Sequence, residues 1–175
     1  NLEQKIYCAG NKISEYDEKL PTSLSVEQIL VRSSNIGSVR IAQKVGIDKY
    51  RSFLKKIGIL DKIQFDIEEV GQPLNFRWGK CKLATTSFGH GITTTPLQLA
   101  KAYSIISNGG YDIKPTIVKS NNSQIRNQIL NPNVSKSINN ILRKVVSTKE
   151  GTAHFADVYG YDVGGKTGTA DKVKN

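Results

Sequence analysis

The stretch VGGKTGTA, residues 163–170, holds the densest chemistry in the chain. Read with the residues before it, Gly160 to Thr167 spell GYDVGGKT and fit G-x-x-x-x-G-K-[ST], the loop that wraps nucleotide phosphates. Such a loop needs an apolar strand feeding it and a helix leaving it, so that helix-end amides face the phosphates. Here the feeding stretch TKEGTAHFADVY is too polar for a buried parallel strand. Asp162 would put a carboxylate into the cradle, and Gly168 and Thr169 interrupt a helix start. A second reading uses more of the letters. On an exposed strand edge, Lys166 presents a positive charge to a carboxylate, and Thr167 and Thr169 add hydroxyls. Gly168 lets a peptide backbone approach and pair. The amide of residue 169 then faces a carbonyl oxygen that turns negative during acyl transfer. The carboxylate reading is preferred.

The elements that must position this phrase are mostly helical. Tyr161 and Val163 alternate with Asp162 and Gly164, which predicts a strand over Tyr159 to Ala170. Upstream, Ile138, Ile141, Leu142, Val145 and Val146 step by three and four, an apolar helix face from Ser135 that Gly151 ends. Thr95-Pro96-Leu97-Gln98 supplies cap, first-turn proline and capping-box glutamine for a helix through Leu99, Ala102, Tyr103 and Ile106 to Gly109-Gly110. A short strand is expected at Ile117 to Lys119. Ser25-Val26-Glu27-Gln28 opens a short helix through Val31. Ser33-Ser34-Asn35 then leads into a second helix carrying Ile36, Val39, Ile41 and Val45, closed by Gly46. Asp48 is expected to cap a third, with Phe53 and Leu54 as core anchors, stopped at Gly58. Residues 59–92 read as irregular, and residues 1–22 as loop with one extended piece at Lys5 to Ala9. A lone strand near the end needs sheet partners, and these are expected outside the 175 residues.

Composition agrees with a globular segment. The apolar share of 38 % falls in periodic runs, and 175 residues suffice for one domain. The net charge of +10 is scattered, with short pairs at Lys55-Lys56 and Arg143-Lys144, so it reads as solvation and no nucleic-acid partner is expected. Cys8 and Cys81 lie far apart without C-x-x-C: free or buried thiols, or a disulfide where an export compartment permits one. His90 and His154 have no metal-ligand spacing, so neither metal nor cofactor is expected. No apolar run is long enough to span a bilayer. The chain opens on Asn1 and contains no Met, as expected of an internal segment of a longer protein.

Ser33-Ser34-Asn35 followed by Lys166-Thr167-Gly168 resembles the second and third signatures of the penicillin-recognising serine acyltransferases, a set written S-x-x-K, S-D-N and K-T-G. The stretches SSNIGSVRIAQKVG, FGHGITTTPLQLAKAYSIISNGG and GGKTGTA are similar to the transpeptidase domain of class B penicillin-binding proteins, especially the division-specific enzymes. The similarity runs from about Asn1 to Lys174. Class A β-lactamases typically carry Asp where this chain has Ser34 and lack TTPLQLA, which favours a transpeptidase. An elongation-specific relative, or a penicillin-binding sensor, is the alternative. The resemblance implies an α/β (α+β) penicillin-binding/β-lactamase-like fold, of which residues 1–175 are an internal fragment: mostly the helical part plus one core strand carrying K-T-G. Membrane helix, non-catalytic domain, nucleophile region and last strands are expected elsewhere in the parent.

The resemblance also implies roles. Ser33 relays a proton, and Asn35 hydrogen-bonds the nucleophile's lysine and a substrate amide. Lys166 holds positive potential over the terminal carboxylate, and Thr167, Gly168 and Thr169 line that carboxylate and the oxyanion hole. Ser34, His90, His154 and Trp78 read as structural. The lone S-x-x-K, Ser52 to Lys55, follows the S-x-N motif instead of preceding it, so it reads as solvated helix, and the fragment alone is expected to be inactive. Implied partners are D-Ala-D-Ala stem peptides, β-lactams, a membrane glycosyltransferase and other division proteins. The parent is expected to be anchored in the inner membrane with this domain on the periplasmic side.

Overall fold

The structure, a computed structural model, describes residues 5–119 and 127–169. In chain order its elements are β1 (Ile6–Cys8), β2 (Asn11–Ile13), α1 (Val26–Val31), α2 (Asn35–Val45), α3 (Ile47–Lys56), α4 (Lys80–Thr86), α5 (Pro96–Ser107) and α6 (Pro132–Ser147), with a 3-10 turn at His154–Ala156. The chain divides into two compact units. The first comprises Asn1–Ile47, Arg77–Gly91 and Asn140–Asn175, the second Asp48–Phe76 and Ile92–Asn139. No helix among the described residues is long and apolar enough to cross a membrane.

In the first unit β1 and β2 form an antiparallel hairpin with Ile6 opposite Ile13. Both isoleucines join Ile36 and Val39 of α2 and Ala84 of α4 in a buried cluster. The Ser25 capping box forms as expected: Ser25 Oγ accepts from the Gln28 amide at 3.1 Å, and Gln28 Oε1 accepts from the Ser25 amide at 2.9 Å. Gly37 lets α1 approach α2, because a Cβ there would stand 2.6 Å from Cγ1 of Ile29. Along α2 the buried residues are Ile36, Gly37, Val39 and Ala42, while Val45 is exposed.

The second unit closes over Ile57, Ile59, Ala102 and Ile105, with Leu54, Leu60, Ile92, Ile129 and Leu130 packed around them. Its organising side chain is a polar one. Gln98 is fully buried, and its Nε2 donates to the carbonyls of Gly58, Ile59 and Asp61 at 3.2, 3.2 and 2.9 Å. Its Oε1 accepts from the Thr95 amide at 2.8 Å, completing the expected cap of α5. One glutamine thus caps its own helix and pins the turn after α3. Because Gln98 faces inward, the buried stripe of α5 is Gln98, Ala102 and Ile105, whereas Leu99 and Tyr103 of the same helix are exposed. Gln98→Ala leaves three carbonyls without their donor and is expected to destabilise by about 3 kcal/mol. Denaturant unfolding measures this, and a loss below about 1 kcal/mol would mean water substitutes for the amide. After α5, Gly110 adopts φ 96° and passes so close to Leu130 that a Cβ would strike its carbonyl.

Several expectations are corrected. The stretch 59–92 contains α4, whose helix rests on burial of Leu83, Ala84 and Thr86 and not on its Thr-rich propensity. Asp48 sits in the first turn of α3 and is not its cap, Phe53 is exposed, and α6 begins at Pro132, three residues early. Residues 117–119 form no strand. Nor is a strand formed from Tyr159 onward: residues 158–161 turn, with the Tyr161 amide on the Val158 carbonyl at 3.1 Å, and 162–169 have no ladder partner among the described residues. Period-two alternation marks a backbone able to pair, and pairing still requires a second strand. Ala170 lies outside the described residues.

Candidate functional site

The polar triplet between α1 and α2 is held in an uncommon shape. Ser33 has φ 58°, the left-handed region that costs a non-glycine residue roughly 1–2 kcal/mol. Its amide bonds the Leu30 carbonyl at 3.3 Å, and the Ser34 amide bonds that of Ile29 at 2.9 Å. Ser34 caps α2: its Oγ accepts from the Gly37 amide at 2.9 Å, and the side chain is 1 % exposed. That is the structural role the sequence suggests for it.

A carboxylate then clamps the junction. Glu15 Oε1 accepts from Ser34 Oγ at 2.6 Å and from the Ile36 amide at 3.1 Å, while Oε2 accepts from the Asn35 amide at 2.7 Å. Three donors at a helix N-terminus are satisfied by one anion, where the helix dipole also favours negative charge. Nearby, Asn35 Nδ2 donates to the Ser14 carbonyl at 3.0 Å, and Arg32 pairs with Asp17 at 3.1 Å. The hydrogen bond from the Lys19 amide and the Arg32 guanidinium hold the Asp17 carboxyl below the usual carboxylate range. Residues 14–17 read as loop in the sequence. A single Glu in a polar stretch carries no periodic signal, and its partners lie 19 to 21 positions away.

Lys166 reaches the same place from the other end of the chain. Its approach is strapped to α6: the Gly165 amide bonds the Leu142 carbonyl at 3.1 Å, and Arg143 Nη1 donates to the Val163 carbonyl at 3.0 Å and to Asp157 at 2.7 Å. Lys166 Nζ then donates to Ser33 Oγ at 2.6 Å and to both the carbonyl and Oγ1 of Thr167 at 3.2 Å. Thr167 Oγ1 meets Thr152 Oγ1 at 2.8 Å, and the Thr152 amide points at the Val31 carbonyl, 3.4 Å away. No pattern in the sequence singles out Thr152 either. Among the described residues no carboxylate pairs with Lys166. The result is a half-buried ammonium ringed by hydroxyls, a site able to receive an anion.

Burial pushes the pKa of Lys166 below the ordinary lysine value. Between the lowered and the ordinary value the unfolded chain binds more protons than the folded one, so this group's contribution to stability rises with pH there. The wild type is therefore expected to gain stability relative to Lys166→Met as pH climbs from neutral into the alkaline range. Paired thermal melts would read this, and a gap independent of pH would contradict it.

Ser33, Lys166 and Thr167 are thus brought together, and Asn35 stands beside them with its amide turned to Ser14. Gly168 and Thr169 are exposed. No helix starts at Lys166 or Thr167, as a phosphate loop would require. Ser52 and Lys55 are exposed on α3. His90 lies in the turn after α4, its ring 6.2 Å from that of Phe88 and its amide on the Thr85 carbonyl at 2.9 Å. His154 contacts the Gly151 carbonyl at 3.3 Å and stacks against Phe155.

The family model described as "Penicillin binding protein transpeptidase domain" matches residues 2–175. The chain is 33 % identical over 154 residues to the probable peptidoglycan D,D-transpeptidase FtsI of Caulobacter vibrioides, covering 85 % of this chain and 26 % of that protein. It is 35 % identical over 163 residues to stage V sporulation protein D of Bacillus subtilis, covering 85 % and 25 %. Among solved structures, the apo TP domain of penicillin-binding protein 3 from Burkholderia pseudomallei matches with a TM-score of 0.87 and 28 % identity, over 97 % of this chain and 52 % of that one. The chain therefore spans about a quarter of the length of these curated relatives and about half of the solved chain.

Proposed function

Since the chain belongs to the penicillin-binding protein transpeptidase family, we propose that its parent is a peptidoglycan D,D-transpeptidase that cross-links stem peptides during septal wall synthesis. The observation that carries this reading is the 2.6 Å hydrogen bond from Lys166 to Ser33, which joins two motifs 133 positions apart. The naming of the Caulobacter relative as a probable FtsI supports the septal assignment.

The chemistry is acyl transfer through a covalent intermediate. The attacking serine and its lysine partner come from residues of the parent outside 1–175, since Ser52 and Lys55 are ordinary exposed helix residues. The serine oxygen adds to the carbonyl between the last two D-alanines, the D-alanine nitrogen takes a proton and leaves, and an amine of a neighbouring stem then takes the acyl group. Ser33 passes the proton to the leaving nitrogen. With Nδ2 held by Ser14, Asn35 offers Oδ1 to the catalytic lysine and to the acyl-side amide of the substrate. Lys166, Thr167 and Thr169 hold the terminal carboxylate, an anion that the half-buried ammonium and its neighbouring hydroxyls suit. The Thr169 amide supplies half of the oxyanion hole, and Gly168 leaves room for the peptide backbone. β-Lactams acylate the same serine because they present a carboxylate and a strained amide in the arrangement of D-Ala-D-Ala.

The parent sits in the bacterial plasma membrane with this domain on the extracytoplasmic side, where its substrate is found. It works beside a membrane glycosyltransferase that makes the glycan strands bearing those peptides, and beside other division proteins. A fluorescent penicillin is expected to label the full-length parent covalently and to leave residues 1–175 alone unlabelled. An unlabelled parent would end the proposal, and a labelled segment would relocate the nucleophile.

A further inference from the structure

Two thiols lie away from the lysine site. Cys8 ends β1, half-buried, and Cys81 sits exposed in the first turn of α4; both are free thiols in this structure. β1 packs against α4, and Cys8 rests on the cluster that contains Ala84, one helical turn beyond Cys81. Cys8 also adjoins the hairpin tip Ala9-Gly10, both residues at positive φ and both exposed.

We propose that Cys8 and Cys81 form an intramolecular disulfide that fastens β1 to α4 when the protein occupies an oxidising compartment. The compartment comes from the proposed function, while the pairing rests on the contact between β1 and α4. The oxidant is a small or protein disulfide, R–S–S–R. The exposed Cys81 thiolate attacks one of its sulfurs and expels RS⁻, giving a mixed disulfide. Cys8 then loses its proton and attacks the Cys81 sulfur, and the second RS⁻ leaves. Two electrons and two protons pass to the oxidant, which ends as two RSH. Burial first, and then contact with Cys81, push the Cys8 thiol up to about 11. Ring closure needs the Cys8 thiolate, which burial disfavours, so it quickens as pH rises. Two residues beyond β2 stands Glu15, so the bond would also stiffen the hairpin that delivers the clamp on Asn35.

The test uses the full-length protein, incubated with oxidised glutathione at pH 7 and at pH 9, quenched in acid, alkylated and digested with trypsin. Mass spectrometry is expected to find the peptide Ile6–Lys12 linked to Cys81–Lys82 in most molecules, released by reductant and formed faster at pH 9. Alkylation of both cysteines overturns the proposal. So does a Cys81–glutathione adduct that persists beside alkylated Cys8, or linkage of either cysteine elsewhere in the parent. Penicillin labelling reads the proposed function separately: a labelled protein without the linked peptides refutes only the disulfide, and linked peptides without label refute only the function.

Discussion

Replacing Lys166 with alanine in the full-length parent is expected to slow acylation by a fluorescent penicillin about 10²–10³-fold, the range seen when one preorganised electrostatic contact is removed. Lys166 is half-buried with three hydrogen bonds, two of them to hydroxyls, and no carboxylate among the described residues offsets its charge. A ligand carboxylate that reaches this ammonium makes a charge-assisted bond, which is worth about twice a neutral one. Alanine removes the cation and also frees Ser33 Oγ from its donor, so binding and proton relay suffer together. Arginine keeps the charge but cannot place a single nitrogen 2.6 Å from Ser33 without moving the planar fork. It is expected to recover only part of the rate. Initial labelling rates across penicillin concentrations measure both variants, and an unchanged rate for Lys166→Ala would remove the lysine from the site.

Glu15→Ala is expected to cost about 3 kcal/mol of stability and to lower the same acylation rate at least tenfold, because hydrogen bonds to a charged group contribute about 1.5–3 kcal/mol each and act here as a unit. The Ser34 hydroxyl and the amides of Asn35 and Ile36 would all lose their acceptor at once. Glu15→Gln separates the two effects. Its single amide oxygen can still serve one or two of these donors, but its NH₂ meets the third donor head-on, so the fold is retained while the junction at Ser33 shifts. Thermal unfolding together with labelling kinetics decides the matter. Full acylation in both variants would reduce the clamp to ordinary packing.

What was legible in the sequence is mostly local. The boxes at Ser25 and Thr95, the closing Gly46 and the apolar face of α6 follow from chemistry within four residues, and all are present. The K-T-G and S-x-N letters pointed to one place, and Lys166 meets Ser33 there. Misread features depend on distant partners. Phe53 read as a core anchor and is exposed, while the carbonyls at 58, 59 and 61 draw the polar Gln98 inward. The 159–170 stretch carries a strand's alternation without a strand's partner among the described residues. Glu15 and Thr152 had no pattern to reveal them, since each matters through what the fold brings beside it.

The twist of the backbone at residue 33 sets a direction for sequence drift. Glycine would occupy φ 58° at ease, and exchanging it for Ser33 would relieve about 1 kcal/mol of local tension while deleting the hydroxyl that Lys166 contacts. Serine thus holds, at a strained backbone position, the hydroxyl that Lys166 contacts.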